Sequence, residues 1–247
     1  MNVMKNILEK TISEFVAEDY RTAQIFKNHK IDFCCKGNRS IAEASESRKL
    51  DVNKLLAEIE SAKQDKPSNT TELKNWPLDL LTDYIEKMHH RYVVEQIPIL
   101  KQYLNRLCHV HGEHHPELFE IKEEFDFSAE ELSNHLKKEE LILFPHIKKM
   151  VKAIANKEEL ESPPFGSVEN PVQLMMDEHS VEGDRFARIS ELSNNYTPPS
   201  DGCNTYHVAF SLLRAFEEDL HLHIHLENNI MFPRSIELEK QLMLVSI

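Results

Sequence analysis

The chain has 247 residues, a formal net charge of −13, four cysteines and 14 histidines. This length allows one large or two modest domains with a sizeable core. The negative charge argues against nucleic acid and anionic membranes as partners, because both need a basic surface. No run of about 18 apolar residues exists, so we expect no transmembrane helix. The first ten residues lack a signal-peptide apolar region, and we expect a cytoplasmic protein with reduced thiols.

The first unit, residues 1–65, is predicted to be a small helical N-terminal domain. Helical patterning covers residues 17–29, and Asp51 is a typical N-cap residue for a later helix. Residues 66–76 then form a polar segment that we interpret as a linker.

Adjacent thiols at Cys34-Cys35 are the main chemical feature of this first unit. Lys36 and Arg39 follow closely, and a helix is expected to begin near Ser40. Positive charge and helix N-termini lower thiol pKa values, so we interpret the pair as candidate redox thiols. The alternative is that the two cysteines are incidental. The remaining cysteines stand alone and are expected to be structural: Cys108 and Cys203.

Four long helical patterns follow in residues 77–247. They cover about residues 78–108, 117–155 and 172–194, and the segment after Pro198-Pro199. Two Phe-Pro pairs, Phe144-Pro145 and Phe232-Pro233, are each predicted to mark a helix end or bend. The spacing predicts an up-down bundle of two similar helical hairpins.

One pattern, H-x3-E-x2-I-[LM]-F-P, occurs twice in this second unit. The first copy begins at His135 and the second at His223, and a further histidine precedes them by 45 and 44 residues. A His and a Glu four residues apart on a helix project in the same direction. All of these histidines and glutamates fall on apolar stripes of their helices. Ile142 of the first copy is predicted to lie on the same inward stripe. We therefore predict six interior metal ligands: His90, His135, Glu139, His179, His223 and Glu227.

Four imidazoles and two carboxylates suit iron, zinc, copper or manganese. Six ligands exceed the needs of one tetrahedral zinc, so two metals bridged by both carboxylates fit better. With one bridging oxygen and six-coordinate metals, about one position per metal stays open for a small diatomic molecule or water. The alternative is structural histidines with surface Glu–His pairs, which a single His-x3-Glu would favour.

Other histidines and carboxylates compete for these roles. His89 adjoins His90 but fits the repeat less well, while His221 and His225 are predicted to face away. The histidine-rich tract at residues 109–115 is interpreted as a solvated loop. Two carboxylates are candidate outer partners of the metal or exposed groups: Glu131 and Glu178.

The segment Asp32-Phe-Cys-Cys-Lys-Gly37 resembles the Asp-[Tyr/Phe]-Cys-Cys-x-Gly signature, and the six predicted ligands resemble those of a hemerythrin-like di-iron bundle. Across nearly its whole length the chain resembles the repair of iron centres family (RIC, ScdA/YtfE-type). The resemblance implies an all-α fold, with a four-helix up-down hemerythrin-like bundle and a small helical N-terminal domain. It also implies two iron ions per chain, oxo- and carboxylate-bridged, with Glu139 and Glu227 as the bridges.

The function implied by the resemblance is repair of iron–sulfur clusters damaged by nitric oxide or peroxide. Damaged iron–sulfur proteins would be the clients, nitric oxide or dioxygen the small ligands, and the protein a homodimer. Four histidines rather than five argue against a pure oxygen carrier. The alternatives are a nitric oxide reductase-type activity at the non-haem di-iron site, sensing or storage of a diatomic ligand or iron, and a structural zinc or manganese bundle.

Overall fold

The computed structural model describes residues 7–63 and 73–245. Within these ranges the regular elements are helices, joined by one isolated β-bridge between Thr11 and Ser40. The predicted all-α class is confirmed. Most of the linker predicted at residues 66–76 lies outside the described residues.

The described part of the N-terminal unit contains four short helices with defined bounds. Thr11 and Ser40 each form a capping box with the glutamate three residues later, and this satisfies the free N–H groups that begin two of the helices. Asp51 accepts a hydrogen bond from the backbone of Asn53, as expected of an N-cap. The helices are α1 (Ile12–Glu18), α2 (Arg21–Asn28), α3 (Ile41–Ser47) and α4 (Val52–Lys63).

Four long helices form the second unit, and three of them contain a π-turn. Helix α5 comprises Leu78–Tyr84, the π-turn Ile85–His90 and Arg91–His111. Helix α6 comprises Glu117–Lys138, the π-turn Glu139–Leu143 and Phe144–Asn156. Helix α7 is Glu169–Leu192, and α8 comprises Asn204–Leu226, the π-turn Glu227–Met231 and Phe232–Val245. Helices α5 and α7 each pack against both α6 and α8, which closes the predicted bundle.

The two Phe-Pro pairs do not end their helices, so the predicted helix ends at these positions are wrong. Each pair follows a π-turn, in which the phenylalanine N–H donates to the carbonyl of Glu139 or Glu227 five residues earlier. A proline cannot donate its own helical hydrogen bond, and the wider π-turn absorbs that break while the helix continues.

The extra residue in a π-turn rotates the following helix by about 100°. At the equivalent position of the π-turn in α8, Ile230 is buried. The predicted inward position of Ile142 in α6 is nevertheless wrong, because its side chain is 49% exposed. The next two residues, Leu143 and Phe144, are buried in its place. A similar shift follows the π-turn of α5, where Val93 is buried and Val94 is exposed.

The apolar core forms two clusters, one on each side of the predicted ligand layer. The first joins the core of the N-terminal unit, such as Phe15 and Phe26, to bundle residues such as Leu104, Phe125 and Phe216. The second cluster fills the opposite end of the bundle; its members include Leu81, Ile147, Met175 and Phe232. The ligands therefore form a polar layer between two apolar layers.

Candidate metal centre

The structure brings all six predicted ligands together inside the bundle. None of the six residues is more than 3% exposed. Their atoms form two groups in which the ligand atoms lie within 4.8 Å of one another. Both groups contain the same two carboxylates. They are His90, Glu139, His223 and Glu227, and His135, Glu139, His179 and Glu227.

Distances within the two groups match those of atoms that share a cation. Oε2 of Glu139 lies 3.3 Å from Nε2 of His90 and 3.4 Å from Nε2 of His135. Oε1 of Glu227 is 3.0 Å from Nε2 of His223, and its Oε2 is 3.3 Å from Nε2 of His179. Two ligand atoms that bind one metal at about 2.1 Å and at right angles lie about 3 Å apart.

The residues fit a cation because several of their buried atoms have no hydrogen-bond partner. Nε2 of His90, both carboxylate oxygens of Glu139 and Oε2 of Glu227 are unpartnered within the part of the chain that the structure describes. Burying carboxylate oxygens without a partner is costly, and metal binding removes that cost. Nitrogen and oxygen donors without thiolate are suited to iron.

The Nδ1 atoms of three ligand histidines are held by outer side chains. His90 donates to Glu140 at 2.9 Å and His135 to Glu178 at 2.7 Å. Such contacts fix the tautomer and leave Nε2 free for a metal. Of the two carboxylates considered from the sequence, Glu178 takes this role and Glu131 is exposed.

The third outer contact is made by Asn228, whose Oδ1 accepts from Nδ1 of His179 at 2.8 Å. Sequence reasoning missed both Asn228 and Glu140. The repeated motif could have indicated both residues, because Glu140 directly follows Glu139 and Asn228 directly follows Glu227. Since the two hairpins are similar, equivalent positions support equivalent histidines.

The repeat also explains the phenylalanine in each copy of the motif. The ring of Phe144 stacks on His90 at 5.3 Å, and the ring of Phe232 stacks on His179 at 6.0 Å. Each π-turn thus turns its phenylalanine onto the ligand of the neighbouring helix. Each copy of the motif thus supplies candidate ligands and a phenylalanine that packs against a ligand histidine of the neighbouring helix.

The charges of the ligands depend on one another. Burial opposes protonation of His90 and His135, but the carboxylates of Glu139 and Glu227 outweigh it and raise both histidine pKa values to about 10. Burial and repulsion from Glu227 act to raise the pKa of Glu139, but the nearby imidazoles outweigh both effects, and the net result is a lowered pKa. The hydrogen bond from His135 lowers the pKa of Glu178 to about 2. Protons and metal ions therefore compete for the same nitrogens.

The competing histidines lie outside both ligand groups. His89 bonds to Asp219 at 3.0 Å and stacks against His223, so it supports a ligand. His225 packs against Tyr20 and Phe33 of the N-terminal unit. The histidine-rich tract at residues 109–115 is not a free loop, because it forms the last turn of α5 and the turn that follows.

The Cys34-Cys35 segment lies against the second hairpin of the bundle. Sγ of Cys35 donates to the backbone carbonyl of His179 at 3.2 Å, and the two Sγ atoms are 3.6 Å apart. Gly183 makes this approach possible, since a Cβ at that position would lie 3.2 Å from Sγ of Cys35. Asp32, Cys34 and Cys35 form a third group whose atoms could hold a metal ion.

The electrostatic surroundings of Cys34 differ from the prediction. Its hydrogen bond with Cys35 and its burial raise the thiol pKa instead of lowering it. Neither of the nearby cationic side chains bonds to the thiols, since Lys36 pairs with Asp184 and Arg39 donates to a backbone carbonyl. The predicted activation by positive charge is therefore wrong for Cys34.

Asn228 connects the metal centre to this segment, because its Nδ2 donates to the carbonyl of Cys34 at 3.1 Å. We expect Asn228→Ala to weaken iron binding about 10- to 100-fold, as is typical when an outer partner of a ligand is lost. Competition with a chelator measures this affinity. The matched control is Asn229→Ala, which removes contacts to Phe33 and His225 but none to a ligand. Equal losses in both variants would assign the effect to the segment and not to His179.

No helix in the described part of the chain is both long and apolar enough to cross a membrane. Two family models match the sequence. The first, described as a domain of unknown function (ScdA_N), covers residues 8–63. The second, described as the hemerythrin HHE cation binding domain, covers residues 81–235.

Curated relatives match both units together. The iron-sulfur cluster repair protein YtfE of Yersinia pestis (strain Pestoides F) is 32% identical over 216 residues, which is 87% of this chain and 91% of the relative. The protein of that name from Yersinia pseudotuberculosis serotype O:1b (strain IP 31758) shows the same identity and coverage. Family models match both units, and relatives match the two units together. The chain therefore belongs to the YtfE family of iron–sulfur cluster repair proteins with a hemerythrin-type domain.

Proposed function

We propose that this protein repairs iron–sulfur clusters damaged by nitrosative or oxidative stress by donating iron to them. The observation that supports this most strongly is that two buried histidine pairs share Glu139 and Glu227. Shared carboxylates are the arrangement that binds two cations next to each other. Relatives that carry both units are named as iron–sulfur cluster repair proteins.

The proposed centre would hold two iron ions per chain, with Glu139 and Glu227 as ligands common to both. One ion would be held by His90 and His223, the other by His135 and His179. The ions supply the cargo for repair and a redox-active centre with open positions for nitric oxide or dioxygen. The surrounding side chains orient the imidazoles and balance their charge, and the two apolar clusters exclude water from the site.

Charge balance favours iron donation over permanent retention. The carboxylates hold the pKa values of His90 and His135 near 10, so these imidazoles bind protons at neutral pH whenever a cation is not there. Protons on Nε2 can thus offset the negative charge of Glu139 and Glu227 after iron has left. This lowers the free-energy cost of an otherwise unpaired buried carboxylate.

The Cys34-Cys35 segment supports a transfer route on the side of His179. Sγ of Cys35 contacts the backbone carbonyl of His179, and both thiols belong to a group that could hold a cation. We propose that iron passes from the histidine pair to these thiols and then to the client. The roles of Cys34 and Cys35 are part of the proposal.

The test mixes the iron-loaded full chain with an enzyme whose iron–sulfur cluster has been damaged by nitric oxide. We expect recovery of client activity, with stoichiometric loss of iron from the protein. The double variant Cys34→Ser, Cys35→Ser should keep its iron but transfer it at least several-fold more slowly. Intact iron without recovery would overturn the repair function, and turnover to nitrous oxide in the same mixture would favour a reductase.

We also propose that the protein is a cytoplasmic homodimer. All four cysteines are free thiols, which is typical of a reducing compartment. Exposed apolar side chains, among them Leu141 and Val181, offer area for a second copy. Light scattering on the purified protein measures the dimer directly.

A further inference from the structure

Cys203 is an exposed thiol at the start of α8, in a part of the bundle that the proposed repair function does not use. It occupies the N-cap position directly before Asn204. Of the other thiols, Cys34 and Cys108 are buried and Cys35 is half-buried. The expected structural role of Cys203 is therefore wrong, because an exposed side chain contributes little to packing.

An imidazole from another helix lies beside this thiol. Nε2 of His111, in the last turn of α5, is 3.1 Å from Sγ of Cys203. The ring of Tyr206 holds the imidazole in place by an edge contact with centroids 5.4 Å apart. A thiol and an imidazole in hydrogen-bond contact are the two parts of an activated sulfur nucleophile.

The start of a 23-residue helix adds to this activation. The hydrogen bond with His111, and then the nearby backbone N–H of Tyr206, lower the pKa of Cys203 to about 7. The direction is opposite to that of Cys34, whose thiol pKa is raised. The exposed thiol is thus remote in sequence from the Cys-Cys signature.

The charged groups around the pair leave His111 free to act. Asp201 and Glu117 both face His115, at 3.1 Å and 3.2 Å from its ring nitrogens. Because His115 binds these carboxylates, neither of them takes the hydrogen bond between His111 and Cys203. Asp201 acts on His111 only through its more distant charge.

We propose that Cys203 and His111 form a thiol-modification site that reacts with low-molecular-weight disulfides. Nε2 of His111 takes the proton of the Cys203 thiol. The resulting thiolate attacks one sulfur of the disulfide, so a new S–S bond forms as the original one breaks. The released thiolate takes the proton from Nε2 of His111. One equivalent of disulfide is consumed, one thiol is released, and Cys203 becomes a mixed disulfide.

The test treats the iron-loaded full chain with oxidised glutathione and follows each cysteine by peptide mass spectrometry across pH. We expect Cys203 to be modified first, with a rate midpoint near pH 7 that matches its pKa. His111→Gln should move the midpoint toward the ordinary thiol value of about 8.5 and slow the reaction at pH 7 about three- to sixfold.

The matched control is His114→Gln, which changes an exposed neighbouring histidine and should leave the midpoint unchanged. Cys203→Ser should abolish the modification while the iron content is unaltered, so this result is independent of the repair function. Faster modification of Cys35 than of Cys203, or an unchanged midpoint in His111→Gln, would overturn the proposal.

Discussion

Replacing Glu227 with alanine is expected to remove most of the bound iron from the protein. Glu227 is fully buried and belongs to both groups of candidate ligands, so in the proposed di-iron centre its loss would take one ligand from each ion. The loss should exceed the roughly 10- to 100-fold drop in affinity that follows removal of an outer partner. Elemental analysis of the purified variant measures iron per chain. A variant that keeps both irons would contradict the ligand assignment.

The matched control is Glu182→Ala, which removes another buried carboxylate from the bundle. Glu182 accepts hydrogen bonds from Ser128 at 2.6 Å and Arg185 at 3.2 Å and belongs to neither ligand group. We expect this variant to retain its iron and to lose stability only, by about 1–3 kcal/mol, because its partners become unsatisfied. The pair of variants separates loss of a ligand from loss of a buried charge.

Phe144→Ala is expected to lower the free energy of unfolding by about 3–5 kcal/mol, the usual result of truncating a buried phenylalanine. Its ring is fully buried between the second apolar cluster and the imidazole of His90. Urea unfolding with iron content measured in parallel checks the value. Phe232→Ala, the equivalent change in the second copy, should have an effect of similar size.

An exposed ring provides the comparison for this prediction. Phe119 lies on the same helix as Phe144 but is 54% exposed, so Phe119→Ala should cost less than about 1 kcal/mol. If Phe144→Ala were as mild as Phe119→Ala, the burial that follows from the π-turn would be wrong.

Sequence reasoning predicted the helices and the cluster of six buried His and Glu side chains because both depend on periodicity and spacing. Ile142 marks the limit of that reasoning, because the motif does not show what covers each position: Ile142 is exposed, whereas the equivalent Ile230 is buried. Periodicity placed Ile142 inside the bundle, whereas the actual helix exposes it and buries Phe144.

Contacts between distant segments were the second limit. The contact between Cys203 and His111 joins two residues that are 92 positions apart in the sequence, and no local pattern predicts it. Glu140 and Asn228 could have been found by aligning the two copies residue by residue, because they occupy equivalent positions. The raised pKa of Cys34 depends on its hydrogen bond with Cys35 and on burial, which the charged residues around it in the sequence did not indicate.

The apolar cluster that joins the N-terminal unit to the bundle has a consequence for how the protein unfolds. The family models treat residues 8–63 and 81–235 as separate modules. Phe15, Phe26 and Leu104 nevertheless belong to one continuous cluster, and the Cys-Cys segment adds hydrogen bonds across the same boundary. Modules that share a core lose it together, so the chain is expected to behave as a single cooperative unit. The thiols then stay beside the ligands for as long as the bundle is folded.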